Sequence, residues 1–120
     1  MIVAGFGFRA AATGDSLRSA LAKAGGGAEM IAAPADKCAA PAFRAFAQAE
    51  ALSVIAVSPA DLAGADTLTA SPQVQARRGT GSVAEAAALA AAGPGARLRA
   101  PRAISDDRMA TCAIAIGASE

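Results

Sequence analysis

Two glycine-bearing segments carry residue types that meet anions: Gly5-Phe6-Gly7-Phe8-Arg9-Ala10 and Gly79-Thr80-Gly81-Ser82-Val83-Ala84-Glu85. The first follows an apolar run and satisfies G-x-G-x-x-A, the dinucleotide fingerprint in which glycines let the backbone approach a pyrophosphate at a helix N-terminus. Helical spacing resumes only near Gly14, and the chain is short for a dinucleotide plus a substrate. NAD(P) is therefore the weaker use, and a glycine turn at a strand end or a wall for another ligand fits the same residues. In the second segment Ser82 and Glu85 form S-x-x-E, which a capping box explains without a ligand. Free N–H groups where a glycine loop enters a helix also bind carboxylate or phosphate, and Thr80 adds a hydroxyl.

Six arginines accompany these segments: Arg9, Arg77, Arg78, Arg97, Arg99 and Arg102. A guanidinium grips a carboxylate through two parallel hydrogen bonds, so a polycarboxylate ligand suits them. Solvated surface charge is the ordinary alternative. Lys37, in the loop before a helix that starts near Pro41, is the one lysine placed to matter; otherwise it is an exposed charge. The chain has 0 histidines, which removes the Ser-His-Asp triad, the Cys-His pair and the imidazole metal site. Any general base must be a carboxylate, a lysine of lowered pKa or the ligand itself. Cys38 and Cys112 lie far apart and are expected to be buried small hydrophobes, not a disulfide or metal site. No cofactor is expected.

The elements that must hold these residues alternate. Strands are predicted over 2–8, 29–33, 53–57, 97–99 and 109–116; helices over 16–24, from Pro41 to 51, from Ser58-Pro59, over 71–77 after Ser71-Pro72, and over 83–92. Thr13 or Asp15 can cap the first helix, and Gly25-Gly26-Gly27 ends it. The continuous run Ser53-Val54-Ile55-Ala56-Val57 reads as a central strand covered on both faces. Arg97-Leu98-Arg99 alternates and belongs nearer an edge, and 109–116 is nearly all apolar and belongs inside. The order implies a three-layer α/β/α domain with a mixed, mostly parallel sheet of about five strands. The loops Gly5–Arg9 and Gly79–Ser82 are expected at one end of that sheet, lining one cleft.

With 120 residues the chain is expected to be a single domain over 1–120. Only 3% of it is aromatic, so small side chains must let helices sit close to the sheet. A net charge of +1 gives no reason to expect nucleic acid. No apolar run approaches the ~18–20 residues of a membrane span, and the first residues lack the marks of a signal peptide. A cytoplasmic location follows as the expectation.

The stretch Gly79-Thr80-Gly81-Ser82-Val83-Ala84-Glu85-Ala86-Ala87-Ala88-Leu89 resembles the signature of the CobE/CbiG carboxy-terminal domain family of cobalamin biosynthesis. Gly5-Phe6-Gly7-Phe8-Arg9 with Thr13 resembles that family's opening. Lys37 falls at a family lysine, and Ser71-Pro72 where a serine opens a helix. Leu98 to Arg102 and Ala110-Thr111-Cys112-Ala113-Ile114-Ala115 resemble its closing strands. Ala40 replaces an acid that accompanies the lysine in the family. The resemblance implies a role in building the corrin ring, with a precorrin-type polycarboxylate tetrapyrrole as ligand and Gly5, Gly7, Arg9, Lys37, Gly79, Thr80, Gly81, Ser82 and Glu85 as the binding set. Carrier or accessory function leads. Hydrolytic opening of a precorrin-5A-type lactone with acetaldehyde release is the alternative. A small nucleotide-binding enzyme using Gly5-x-Gly7, or an interaction module for a neighbouring corrin enzyme, remains open beside them.

Overall fold

Apolar runs and capped helical segments alternate in the computed structural model, which describes residues 1–65, 67–68 and 82–118. In chain order they are β1 (Ile2–Phe8), α1 (Gly14–Ala24), β2 (Met30–Pro34), α2 (Pro41–Ala49), β3 (Ser53–Val57), α3 (Pro59–Ala63), α4 (Val83–Ala92), β4 (Arg97–Leu98), β5 (Ala103–Ile104) and β6 (Ala110–Ile116). The helix expected over 71–77 lies outside the described residues. Local chemistry accounts for the boundaries. Thr13 caps α1 by accepting from the Ser16 N–H, Ser16 returns the bond to the Thr13 N–H, and Gly25 ends the helix at φ 108°. Ser58 caps α3 ahead of Pro59, and Ser82 caps α4.

The six-stranded sheet has the order β3-β2-β1-β6-β4, with β5 also on β6. β1 pairs parallel with β2, and β2 with β3. β6 is antiparallel to β1, and both β4 and β5 are antiparallel to β6, so β6 alone opposes the common direction. α1 and α2 cover one face, where Leu17, Phe43 and Phe46 pack on Phe6, Ile31 and Ile114. Phe6 meets Phe43 and Phe46 edge-on at 5.9 and 5.5 Å. The other face is covered by α3 and α4, whose Leu62, Ala86 and Ala87 pack on Val3, Ala32 and Val57. The result is three layers, one aromatic and one built of alanine. No helix among the described residues is long and apolar enough to cross a membrane.

β6 is interior and Arg97–Leu98 lies at an edge, as the patterns required. β3 is different. It was expected to be central, but it is the opposite edge, and Val57 is its one buried residue. Ile55 and Val57 pack with the α3/α4 layer. Val54, opposite Ile31, points to the other face and is 40% exposed beside α2, in a groove that includes Arg44, Gln48 and Leu52. The run is apolar without being covered twice.

Candidate ligand site at the carboxyl ends of the strands

Gly5 and Gly7 sit two residues apart inside β1 and therefore share the face that meets α4. A Cβ on Gly5 would collide with the backbone Ala84 O and Ala88 N and come within 2.9 Å of the Ala88 Cβ. At Gly7 it would stand 3.0 Å from Thr111 Oγ1 and 3.2 Å from Val83 Cβ. The expected glycine loop is thus corrected: both glycines belong to a strand, and Gly5 is buried so that a helix backbone can lie directly on it. The dinucleotide geometry, a loop turning straight into a helix, is not present, because α1 begins only at Gly14. The same contacts set the N-terminal turn of α4 over the carboxyl end of β1. Ser82 therefore lies at the Gly7 end of the sheet. Gly79, Thr80 and Gly81, with Arg77 and Arg78, lie outside the described residues.

Ser82 and Glu85 are both fully buried. The Ser82 Oγ accepts the Glu85 N–H at 3.3 Å, the forward half of a capping box. The Glu85 carboxylate is used elsewhere. Its Oε1 accepts the Leu68 N–H at 2.6 Å and its Oε2 the Arg102 N–H at 2.8 Å. Arg102 lies in the break at 99–102 between β4 and β5, where the edge strand leaves β6. Glu85 is therefore a tie between a loop and a broken strand, which corrects its reading as a helix cap. Motif spacing could not reveal this, since S-x-x-E looks the same in either use.

Lys37 and Arg9 are the members of the expected set that combine charge with access to solvent. The turn after β2 fixes Lys37, whose N–H donates to the Pro34 carbonyl at 2.8 Å. Its Nζ lies 5.2 Å from the centre of the Phe8 ring, and that ring stacks on Phe43 at 5.4 Å and 13°. Such a face attracts an ammonium through the ring quadrupole. Arg9 follows directly and is exposed; its N–H donates to the Met109 carbonyl at 2.9 Å. Among the described residues neither cation has a carboxylate within 4.0 Å. Phe8 was not singled out from the sequence, although its place one residue before Arg9 was visible there.

Most acids nearby are engaged by the fold itself. Asp15 and Glu50 share Arg18 at 2.9 and 3.7 Å, and Asp106 takes Lys23 at 2.9 Å. Asp107 accepts the Ser16 hydroxyl at 2.5 Å and the Ser105 hydroxyl at 2.7 Å, which together hold its carboxyl below the usual range. Lys23 does the same for Asp106, mainly through their hydrogen bond. With a net charge of only +1, Lys37 and Arg9 thus have no carboxylate within 4.0 Å among the described residues. Burial pushes the Cys112 thiol far up and, less strongly, that of Cys38.

Arg97 and Arg99 do not join this end. Arg97 is in register with Ile116, itself opposite Ile2, which places it at the amino end of β1. Arg99 donates from Nη1 to the Gly26 carbonyl at 2.9 Å, beyond the end of α1. Their expected share in one site with Arg9 is corrected by that separation. Ala40 is the N-cap of α2 and makes no side-chain cap bond.

The layers define a small α/β domain with Lys37 and Arg9 at the carboxyl ends of β2 and β1. Its residues 2–115 match the family model described as the cobalamin synthesis G C-terminus, and the chain belongs to that family. Its structure is similar to that of CobE, a protein from the cobalamin (vitamin B12) biosynthetic pathway, with a TM-score of 0.84 and 29% identity over 96% of this chain and 92% of that one. It is also similar to the cobalamin biosynthesis protein chiG from Agrobacterium tumefaciens str. C58, with a TM-score of 0.74 and 34% identity over 98% of each chain. Comparison with curated proteins finds no match.

Proposed function

We propose that this protein binds a precorrin-type polycarboxylate tetrapyrrole, as carrier or accessory factor in corrin-ring synthesis, at the carboxyl ends of β1 and β2. The observation that carries this is Lys37 and Arg9, cations just beyond the carboxyl ends of β2 and β1, the lysine held over a stacked Phe8–Phe43 pair and neither with a carboxylate partner among the described residues. Precorrins are flat rings edged with acetate and propionate groups. Their carboxylates suit the cations and their faces suit an aromatic edge, without any need for net positive charge. Membership of a cobalamin-synthesis family supports the choice of ligand class. Glu85, buried on two backbone N–H groups, is in no position to act as a base, so binding without turnover is preferred over lactone opening.

Hydrogenobyrinic acid is a suitable probe, because its visible spectrum reports on its surroundings. Titration should shift that spectrum, and Arg9→Ala or Lys37→Ala should each raise Kd about tenfold, the lower end of a charge-assisted hydrogen bond. A wild-type protein that leaves the spectrum unchanged contradicts the proposal. Acetaldehyde release from a lactone-bearing precorrin would instead establish the hydrolase.

A further inference from the structure

Arg108 sits in the turn between β5 and β6 with φ 61°, the left-handed region that glycine or asparagine occupies at least cost. The turn is built by its neighbours. Ser105 donates from N–H to the Ala110 carbonyl at 2.9 Å and accepts the Ala110 N–H on Oγ at 3.0 Å. The Arg108 N–H donates to the Ser105 carbonyl at 2.9 Å, and Asp107 Oδ1 accepts the Met109 N–H at 3.0 Å. None of these bonds uses the Arg108 guanidinium. The two acids of the turn both reach α1, Asp106 to Lys23 and Asp107 to Ser16, and leave Arg108 exposed. Next to it the Arg9 N–H donates to the Met109 carbonyl, so the two arginines flank a single backbone hydrogen bond. Both arginines are exposed and neither has a carboxylate within 4.0 Å among the described residues, so both guanidinium groups are available to an anion at this strand end.

We propose that Arg9 and Arg108 form a two-arginine clamp for one carboxylate of the ligand, with Arg108 held against its backbone preference for that purpose. The clamp rests on the tetrapyrrole reading above and adds to it a residue that determines which ring edge is gripped. Two planar guanidinium forks offer a carboxylate more fixed donors than lysines would, which favours one orientation of the ring.

The test is Arg108→Gly, with Arg108→Asn beside it, because both residues accept a left-handed backbone. Their thermal midpoints should equal or exceed the wild-type value. Their Kd for hydrogenobyrinic acid should rise about tenfold, and the salt dependence of binding should weaken. Arg9→Ala combined with Arg108→Gly should lose less than the product of the two single effects, since one carboxylate serves both. Wild-type binding with an unchanged Kd in Arg108→Gly and Arg108→Asn overturns the clamp and leaves the broader proposal standing. No binding by the wild type overturns the broader proposal first.

Discussion

Replacing Gly5 by alanine adds one methyl group where α4 rests on β1. Two of the atoms it would strike, Ala84 O and Ala88 N, are helix backbone and cannot rotate aside; the third, Ala88 Cβ, would be 2.9 Å away. Ordinary contact requires α4 to lift from the sheet, and α4 also covers β2 and β6. Overpacking costs ~1–3 kcal/mol where side chains can adjust, so a backbone collision belongs at about 3 kcal/mol or beyond. Against a total stability of about 5–15 kcal/mol this is a large share. At roughly 3–6 °C per kcal/mol, the thermal midpoint should drop by about 10–20 °C. Gly7→Ala is the control. Its new methyl would meet the Thr111 hydroxyl at 3.0 Å, which can turn by giving up its bond to the Gly7 carbonyl, and the Val83 Cβ at 3.2 Å, which need shift only slightly, so the loss should be about 1 kcal/mol. Urea and thermal unfolding followed by far-UV circular dichroism measure both. A Gly5→Ala protein within about 1 kcal/mol of wild type, or a Gly7→Ala protein equally damaged, refutes the close-packing account.

Glu85→Gln offers one acceptor where the carboxylate offers two, and turns its amide toward a buried N–H. It should cost about 1–3 kcal/mol in urea unfolding and speed hydrogen exchange at Arg102; unchanged exchange there rules out the tie. Asp107 has a lowered folded pKa, so its stabilisation is complete above the unfolded value of about 3.9 and disappears as pH falls through the lower folded one. The wild-type midpoint should therefore decline below about pH 4, and Asp107→Asn should flatten that decline; an identical slope in both proteins shows that the Ser16 and Ser105 hydroxyls do not act on this carboxyl.

Element positions were legible where local chemistry decides them. Thr13, Ser58-Pro59 and Ser82 start helices, and Gly25 and Gly93 stop them, within a few residues and without outside help. The three-layer class followed from the alternation of strands and helices. Coverage was not legible. Ser53-Val54-Ile55-Ala56-Val57 has the composition of a central strand, yet which neighbour lies on each side depends on residues far away in the chain. Glycine at Gly5 signals a close approach of backbone, but a helix and a phosphate require the same missing Cβ. At the site, Arg9 and Lys37 could be named from charge and position. Phe8 stacking under Lys37 and the left-handed Arg108 depend on tertiary geometry that no spacing encodes.

β6 pairs along its whole length with β1, from Ile2 against Ile116 to Phe8 against Ala110, and its other edge carries β4 and β5. The last strand in sequence order among the described elements is thus the one that fills the interior of the sheet. Until it arrives, β1 has a bare edge and its buried face has no partner on that side. Closing a loop of this length adds to the entropy cost only logarithmically, so final stability suffers little. Speed does suffer, because chains dominated by distant pairings fold more slowly than those built from local contacts. The nascent chain must therefore hold the apolar strand β1 in waiting until the residues of β6, about a hundred positions later, have been made. A stop codon ahead of Ala110 splits the sheet at its centre, where a lost edge strand would merely have narrowed it.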